Sequence, residues 1–204
     1  MSTSHPIFAA VYRHLLAPNE RTWLGALRPR LLSRAHGEVL EIGGGDGANL
    51  PHYPADAKVT IAEPDPAMRK LLASNLSRAR APISLSDAGA ERLPFDDGRF
   101  EFVVATLVFC SVHDVDAALA EVKRVLKPGG ALLFIEHVRK PGEQGRWQDR
   151  VRPVWSFFLG GCQVNRDTRR AIERAGLSFE MIEELNPKEA MPLMRPIVWG
   201  VART

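Results

Sequence analysis

The chain is poor in cysteine, with only Cys110 and Cys162 in 204 residues. Their separation makes neither a disulfide framework nor a metal-ligand motif, so no metal and a reducing, cytoplasmic setting are expected. Long apolar runs are also missing. The longest, residues 102–112, is much shorter than the ~20 residues of a membrane-spanning helix. Residues 1–14 lack the charged-then-apolar pattern of a signal peptide, and a soluble or peripheral protein is the expectation. Charge of one sign is scarce as well: 27 basic and 24 acidic residues leave a net charge of +3. That is too mild to mark a nucleic-acid binder without a concentrated basic stripe. What is present, 45% hydrophobic and 25% charged residues with no repeat or linker, suits one folded domain with a sizeable core.

Amphipathic stretches at 7–16 and 20–33, separated by Pro18 and Asn19, predict two helices. Residues 39–42 read as a short strand that runs into glycines at 43, 44, 45 and 47 of VLEIGGGDGANL. A second strand over 59–62 ends at Glu63. Asp65 and Pro66 then supply a cap and first turn for a helix to residue 79. Strands are predicted at 83–85 and at 102–107, the latter apolar enough to be buried on both faces. A helix over 115–126 is broken by Pro128-Gly129-Gly130, and a fifth strand covers 131–135. Residues 139–165 break the rhythm with Trp147, Trp155, Phe157 and Phe158 among arginines, and predict an inserted lid. A capped helix at 167–175 and strands at 179–185 and 196–202 close the chain. Strand alternating with helix implies a parallel sheet whose ligands lie at the carboxyl ends of its strands.

A glycine-rich turn leaving the first strand lets backbone N–H groups approach a nucleotide-like ligand. The spacing is not G-x-G-x-x-G, which weakens a dinucleotide reading, and a ligand-free tight turn is the plainer alternative. Glu63, about twenty residues on, is placed to accept from both hydroxyls of a ribose. Asp87, just past the third strand, is placed to accept from an adenine amino group. Taken alone, either is equally well a solvated loop carboxylate.

Residues 41–47 (EIGGGDG), Glu63-Pro64-Asp65 with Met68, Asp87-Ala88, Leu93-Pro94-Phe95 and Leu126-Lys127-Pro128-Gly129-Gly130 together resemble the class I S-adenosylmethionine-dependent methyltransferases. The resemblance implies an α/β fold: a Rossmann-like, seven-stranded, mostly parallel sheet with helices on both faces and the last strand antiparallel. It implies one domain, with a helical cover over 1–36, a cofactor-binding core over 37–138, the lid over 139–166, and a closing helix and strands over 167–204. S-adenosylmethionine is the implied cofactor, with S-adenosylhomocysteine as its product. Gly43 and Gly45 would lie beside its amino acid and ribose, Glu63 would hold the diol, and Met68 and Ala88 would sandwich the adenine near Asp87. Thr106 and Leu107 would lie near the methionine portion. Tyr12, Glu41, Gly44, Asn49 and Pro64 are counted in the same site, Tyr12 as part of the helical cover.

The segment TLVFCSV (106–112), Glu136-His137-Val138, the tryptophan-rich stretch, Gly161-Cys162 and Arg195-Pro196 carry a narrower resemblance, to the membrane-anchored alkyl thiol S-methyltransferases. Those proteins carry an N-terminal hydrophobic anchor, and residues 1–11 here contain none. The acceptor implied is a small, largely apolar molecule, most simply a thiol, which reacts as its thiolate and needs little catalytic help. His137 is the first candidate base and His113 the second, each with a plain structural alternative. Trp155, Cys162 and Arg195 are candidate acceptor contacts. Residues 139–174 hold nine basic and four acidic residues, read first as a solvated lid, second as a peripheral contact with a membrane surface, and only distantly as a nucleic-acid site. The oligomeric state is left open. Rival acceptors are a quinone ring carbon and a phospholipid amine; rivals of another class are an RNA methyltransferase and a non-catalytic cofactor-binding module. The lack of an Asn-Pro-Pro-Tyr type motif after the fourth strand argues against methylation of a nucleic-acid amine.

Overall fold

The computed structural model describes residues 6–204. The short apolar segments become β1 (Glu38–Ile42), β2 (Lys58–Ala62), β3 (Ile83–Ser86), β4 (Phe100–Thr106) and β5 (Leu126–His137). All five run parallel, and β6 (Ser178–Leu185) and β7 (Ile197–Arg203) complete the sheet in the order β3-β2-β1-β4-β5-β7-β6. β7 lies antiparallel to both of its neighbours. The expected seven-stranded, mostly parallel sheet with an antiparallel last strand is therefore what the chain forms.

Helices α1 (Pro6–Glu20), α2 (Trp23–Leu32), α3 (Pro66–Ser74), α4 (Val115–Val125), α5 (Gly142–Phe158) and α6 (Thr168–Arg174) flank the sheet. Leu119 and Val122 of α4 and Ile172 of α6 bury against Leu40, Val103 and Phe134 on one face. Leu24, Leu27 and Leu31 of α2 and Leu72 of α3 bury against Val39, Val59 and Leu133 on the other. Strand alternation produces this split, since neighbouring side chains of a strand leave on opposite faces.

Three expectations shift. The first helix does not stop before Pro18 but passes through it to Glu20, because a proline near the last turn forfeits only one backbone bond. Thr22 Oγ1 donates to the Pro18 carbonyl at 2.8 Å just beyond. Pro128-Gly129-Gly130 does not separate α4 from the fifth strand by a loop. It is taken up as an irregularity within β5, where the register with β4 steps from Phe100↔Leu126 to Phe102↔Ala131. The segment read as an inserted lid contains a 17-residue helix, α5. Asp65, Asp114 and Asp167 cap α3, α4 and α6 as side-chain acceptors. Arg124 fixes the Leu93-Pro94-Phe95 turn to α4, donating to the carbonyls of Leu93 and Phe95 at 2.8 and 2.7 Å.

Candidate active site

The carboxyl ends of β1, β2 and β4 open onto a cavity of about 830 Å³. Its floor is the turn after β1. Gly43 and Gly45 hold φ of 67° and 57°, a region where a side chain is strained. A Cβ on Gly43 would stand 2.6 Å from Val108 Cγ2, and one on Gly45 would meet the Tyr12 hydroxyl at 3.2 Å. Backbone therefore approaches the cavity where side chains would fill it.

Glu63, at the end of β2, is 7% exposed and lines the cavity. One carboxylate oxygen accepts from Gly45 N and the other from Asp65 N, each at 3.0 Å. Burial raises its pKa, and those two amides pull the other way. Each oxygen keeps acceptor capacity toward the cavity, because a carboxylate oxygen has more than one lone pair. Pro64, Met68, Thr106, Leu107 and the exposed His113 line the same space, and Tyr12 of α1 closes it from above the glycine turn. Leu107 carries φ of 57° without being a glycine, a strained backbone at the cavity wall. Burial holds the Tyr12 phenol above its ordinary pKa, so it stays a protonated donor.

Other expected site residues lie elsewhere. Gly44 backs onto β2, where a Cβ would stand 2.3 Å from Ile61 Cγ2. Glu41 and Asn49 sit beneath the turn: Asn49 Nδ2 and the Tyr53 hydroxyl donate to the two Glu41 oxygens at 2.9 and 2.8 Å, and Arg28 donates to Asn49 Oδ1 at 2.6 Å. Burial pushes Glu41 up to about 7, against the hydrogen bonds from Tyr53 and Asn49. Both residues brace the turn from below and stay out of the cavity wall. Asp87 is exposed, and Ala88 packs on the α4-side core; neither lines the cavity, whose wall there is Ala90 and Glu91.

His137 does not reach the cavity. It is fully buried, with Nε2 3.1 Å from Cys162 Sγ; β5 pairs with β4 as far as Ile135 and with β7 to its last residue. Glu136 beside it is also fully buried; one oxygen accepts from Val108 N and Phe109 N at 2.8 and 2.9 Å, and burial pushes it up to about 7. Cys110 joins His137 and Cys162, with one ligand-type atom of each within 4.8 Å of the others. The neighbouring Cys162 thiol, followed by burial, raises Cys110, and the neighbouring Cys110 lowers Cys162. Burial pulls the imidazole down, but the neighbouring Cys110 outweighs it and leaves His137 raised. Cys162 is buried and Trp155 half-buried, and neither lines the cavity; Arg195 is half-buried at the entry to β7. From this part of the chain, Gly160 lines the cavity. Val108 and Ser111 line the cavity from within the TLVFCSV segment; Ala90, Glu91, Asp114, Ala117 and Gly160 are further wall positions not anticipated, of which Asp114 could have been found as the cap before an apolar-periodic helix.

Fold and cavity together define a class: a Rossmann-like protein with a glycine floor and one acidic group at the end of β2, the arrangement that holds an adenosine-type cofactor. Residues 40–134 match the model of a family described as a methyltransferase domain. The chain is 32% identical over 200 residues to the thiol S-methyltransferase TMT1A of Homo sapiens, covering 96% of this chain and 82% of that one. It is 35% identical over 127 residues to the ubiquinone/menaquinone biosynthesis C-methyltransferase UbiE of Shewanella oneidensis, over 59% of this chain and 49% of the relative. A SAM-dependent methyltransferase of Thermotoga maritima superposes with a TM-score of 0.71 at 22% identity, covering 97% and 98% of the two chains. The chain belongs to the class I S-adenosylmethionine-dependent methyltransferases, in the group that includes the thiol S-methyltransferases.

S-adenosylmethionine is its cofactor, and the residues present fit it: the backbone cradle at Gly43 and Gly45, and a buried carboxylate with spare acceptor capacity at Glu63. When bound, the cofactor supplies an electrophilic methyl group on a sulfonium. Glu63, Gly45 and Met68 would orient its nucleoside end. Leu107, Val108 and Val112 supply an apolar part of the wall beyond, beside Ser111, His113 and Asp114. Among the described residues, no helix is long and apolar enough to cross a membrane.

Proposed function

We propose that the protein transfers the methyl group to a small, largely apolar thiol. The observation that carries this reading is the similarity to a thiol S-methyltransferase along nearly the whole chain, which takes in the β4–α4 turn and α5. The similarity to the quinone C-methyltransferase spans a shorter part. A thiol suits the cavity for a physical reason. Thiolate and sulfonium lose their charges together in the transition state, and an apolar wall does not penalise that loss. A fraction of the thiol ionises unaided near neutrality, given an ordinary pKa of about 8.5. His113, the imidazole in the cavity wall, is available to take up the proton; His137, buried behind the wall, is not.

α5 exposes Trp147, Val154, Phe157 and Phe158, the last two just before Gly160, with the exposed Arg150 and Arg152 on the same helix. In this reading α5 covers the acceptor side, and its aromatic, basic surface suits contact with a membrane from which apolar acceptors enter.

The test is product formation, followed by mass spectrometry, with matched apolar thiol, alcohol, amine and quinone acceptors. The thiol should be methylated far faster than its hydroxyl analogue. Methylation of the quinone or the amine but not of the thiol would overturn the assignment.

A further inference from the structure

Behind the cavity wall three chain segments converge on a cluster that methyl transfer does not use. Cys110 comes from the turn between β4 and α4, His137 from the end of β5, and Cys162 from the turn after α5. They are 2%, 0% and 8% exposed. We propose that Cys110, His137 and Cys162 are the ligands of a zinc ion that ties these three segments together behind the methyl-transfer cavity.

The donor set is the first argument. Two sulfurs and an imidazole nitrogen fill three of the four tetrahedral positions of zinc, as in sites of two cysteines and one histidine whose fourth position takes a water, at about 2.3 Å for sulfur and 2.0–2.1 Å for nitrogen. In a tetrahedron those bonds put nitrogen about 3.5 Å and sulfur about 3.7 Å from a neighbouring sulfur. Here Nε2 of His137 and Sγ of Cys162 are 3.1 Å apart, and all three donor atoms lie within 4.8 Å of one another. Shifts of a few tenths of an ångström up to about one would seat the ion.

Charge is the second argument. Two thiolates and a neutral imidazole cancel the charge of zinc(II), leaving a neutral unit in a place where an unbalanced charge would be costly. Of the charged groups that face the cluster, Arg166 donates to the Phe109 and Val112 carbonyls at 2.6 and 2.7 Å, and Glu136 accepts from the Val108 and Phe109 amides through Oε1, while its Oε2 is buried without a hydrogen-bond partner among the described residues.

Support of the ligands is the third. The contacts of Glu136 and Arg166 hold the turn carrying Cys110 from two sides, and Gln163 N donates to the Cys110 carbonyl at 2.7 Å, fixing the turn after Cys162 against it. The donors are thus positioned by contacts other than their own. Packing alone would explain two buried cysteines, which behave as small apolar residues. It does not explain an imidazole, fully buried, with Nε2 turned to the Cys162 sulfur.

The experiment uses untagged, reduced, chelator-treated full-length protein, titrated with zinc against a chromophoric chelator and, separately, with cobalt(II) as a spectroscopic probe. One equivalent of zinc should bind, cobalt should show thiolate charge-transfer absorption, and zinc should protect both cysteines from alkylation read by mass spectrometry. Cys110→Ser and Cys162→Ser should each weaken zinc binding at least tenfold, with S-adenosylhomocysteine binding and circular dichroism as controls of folding. No stoichiometric uptake, or binding unchanged in both variants, would overturn the site. Should a variant not fold, the alkylation arm on the unaltered chain still decides, since unprotected cysteines in saturating zinc refute it. Uptake of copper(I) with zinc refused refutes the choice of ion. None of these readouts depends on the methyl acceptor.

Discussion

Replacing Glu63 with alanine tests how the cavity holds its cofactor. In the folded protein its carboxylate joins two segments, accepting from Gly45 N in the glycine turn and Asp65 N at the entry to α3. Truncation removes both bonds and, with cofactor bound, the bonds expected to the ribose hydroxyls. Hydrogen bonds to a charged group contribute about 1.5–3 kcal/mol, so affinity for S-adenosylhomocysteine should fall about ten- to a hundredfold. Water can reach the two freed amides through the open cavity, which limits the cost to folding to roughly 1–3 kcal/mol, a drop in Tm of about 2–4 °C for each kcal/mol at this chain length. Calorimetric titration gives the affinity and scanning calorimetry the stability. Glu63→Gln, which keeps one carbonyl acceptor, should fall between the two. A Glu63→Ala protein that is folded and binds S-adenosylhomocysteine with unchanged Kd would refute the placement of the ribose.

Glu41 is pushed up to about 7 and so binds a proton in the folded state that the unfolded chain, near 4.5, has lost. Its contribution to stability therefore falls as pH rises from about 4.5 to 7 and is level above that; thermal melts of Glu41→Gln should show a weaker pH dependence in that window, and an unchanged profile would count against the shift. Arg124→Ala removes the donors to Leu93 O and Phe95 O, so it should lower Tm by several degrees, at roughly 1–3 kcal/mol, while kcat changes less; a Tm within error of the parent would contradict the bracing role. His113→Ala should depress turnover of a thiol most below the thiol's own pKa and recover at higher pH, where solvent supplies thiolate. A defect independent of pH would remove His113 as the proton acceptor.

The order of elements was legible because apolar runs, Asp caps and Gly or Pro breaks coincide along most of the chain: β1, β2 and α4 fall within a few residues of where those signals put them, while α3 starts at its cap but stops at Ser74, short of the expected residue 79. α5 escaped because its large apolar residues face solvent and its buried positions, Gly145 and Gln148, are not apolar side chains. In the site, Glu63, Gly43, Gly45 and Met68 line the cavity from the positions their motifs suggested. Glu41 and His137 show the limit of the argument from strand ends. Being at the carboxyl end of a strand places the backbone near the ligand edge, but alternation and the flanking strands decide where the side chain goes, and both point into the protein. The approach of Cys110, His137 and Cys162 has no local signature, since it depends on where the turn after α5 returns to the sheet.

The position of β7 sets the order in which the molecule can be completed during synthesis. β5 pairs with β7, and His137 lies opposite Ile197, about sixty residues further along the chain. At roughly 5–20 residues per second, the outer edge of β5 waits about 3–12 s after it leaves the ribosome for the strand that covers it. During that interval an apolar strand presents unpaired backbone groups, the kind of edge to which another nascent chain or a chaperone can attach. Limited proteolysis of chains arrested before and after Ile197 would time the closure. Until β7 is in place, the turn carrying Cys110 has no finished strand end beside it on which to settle.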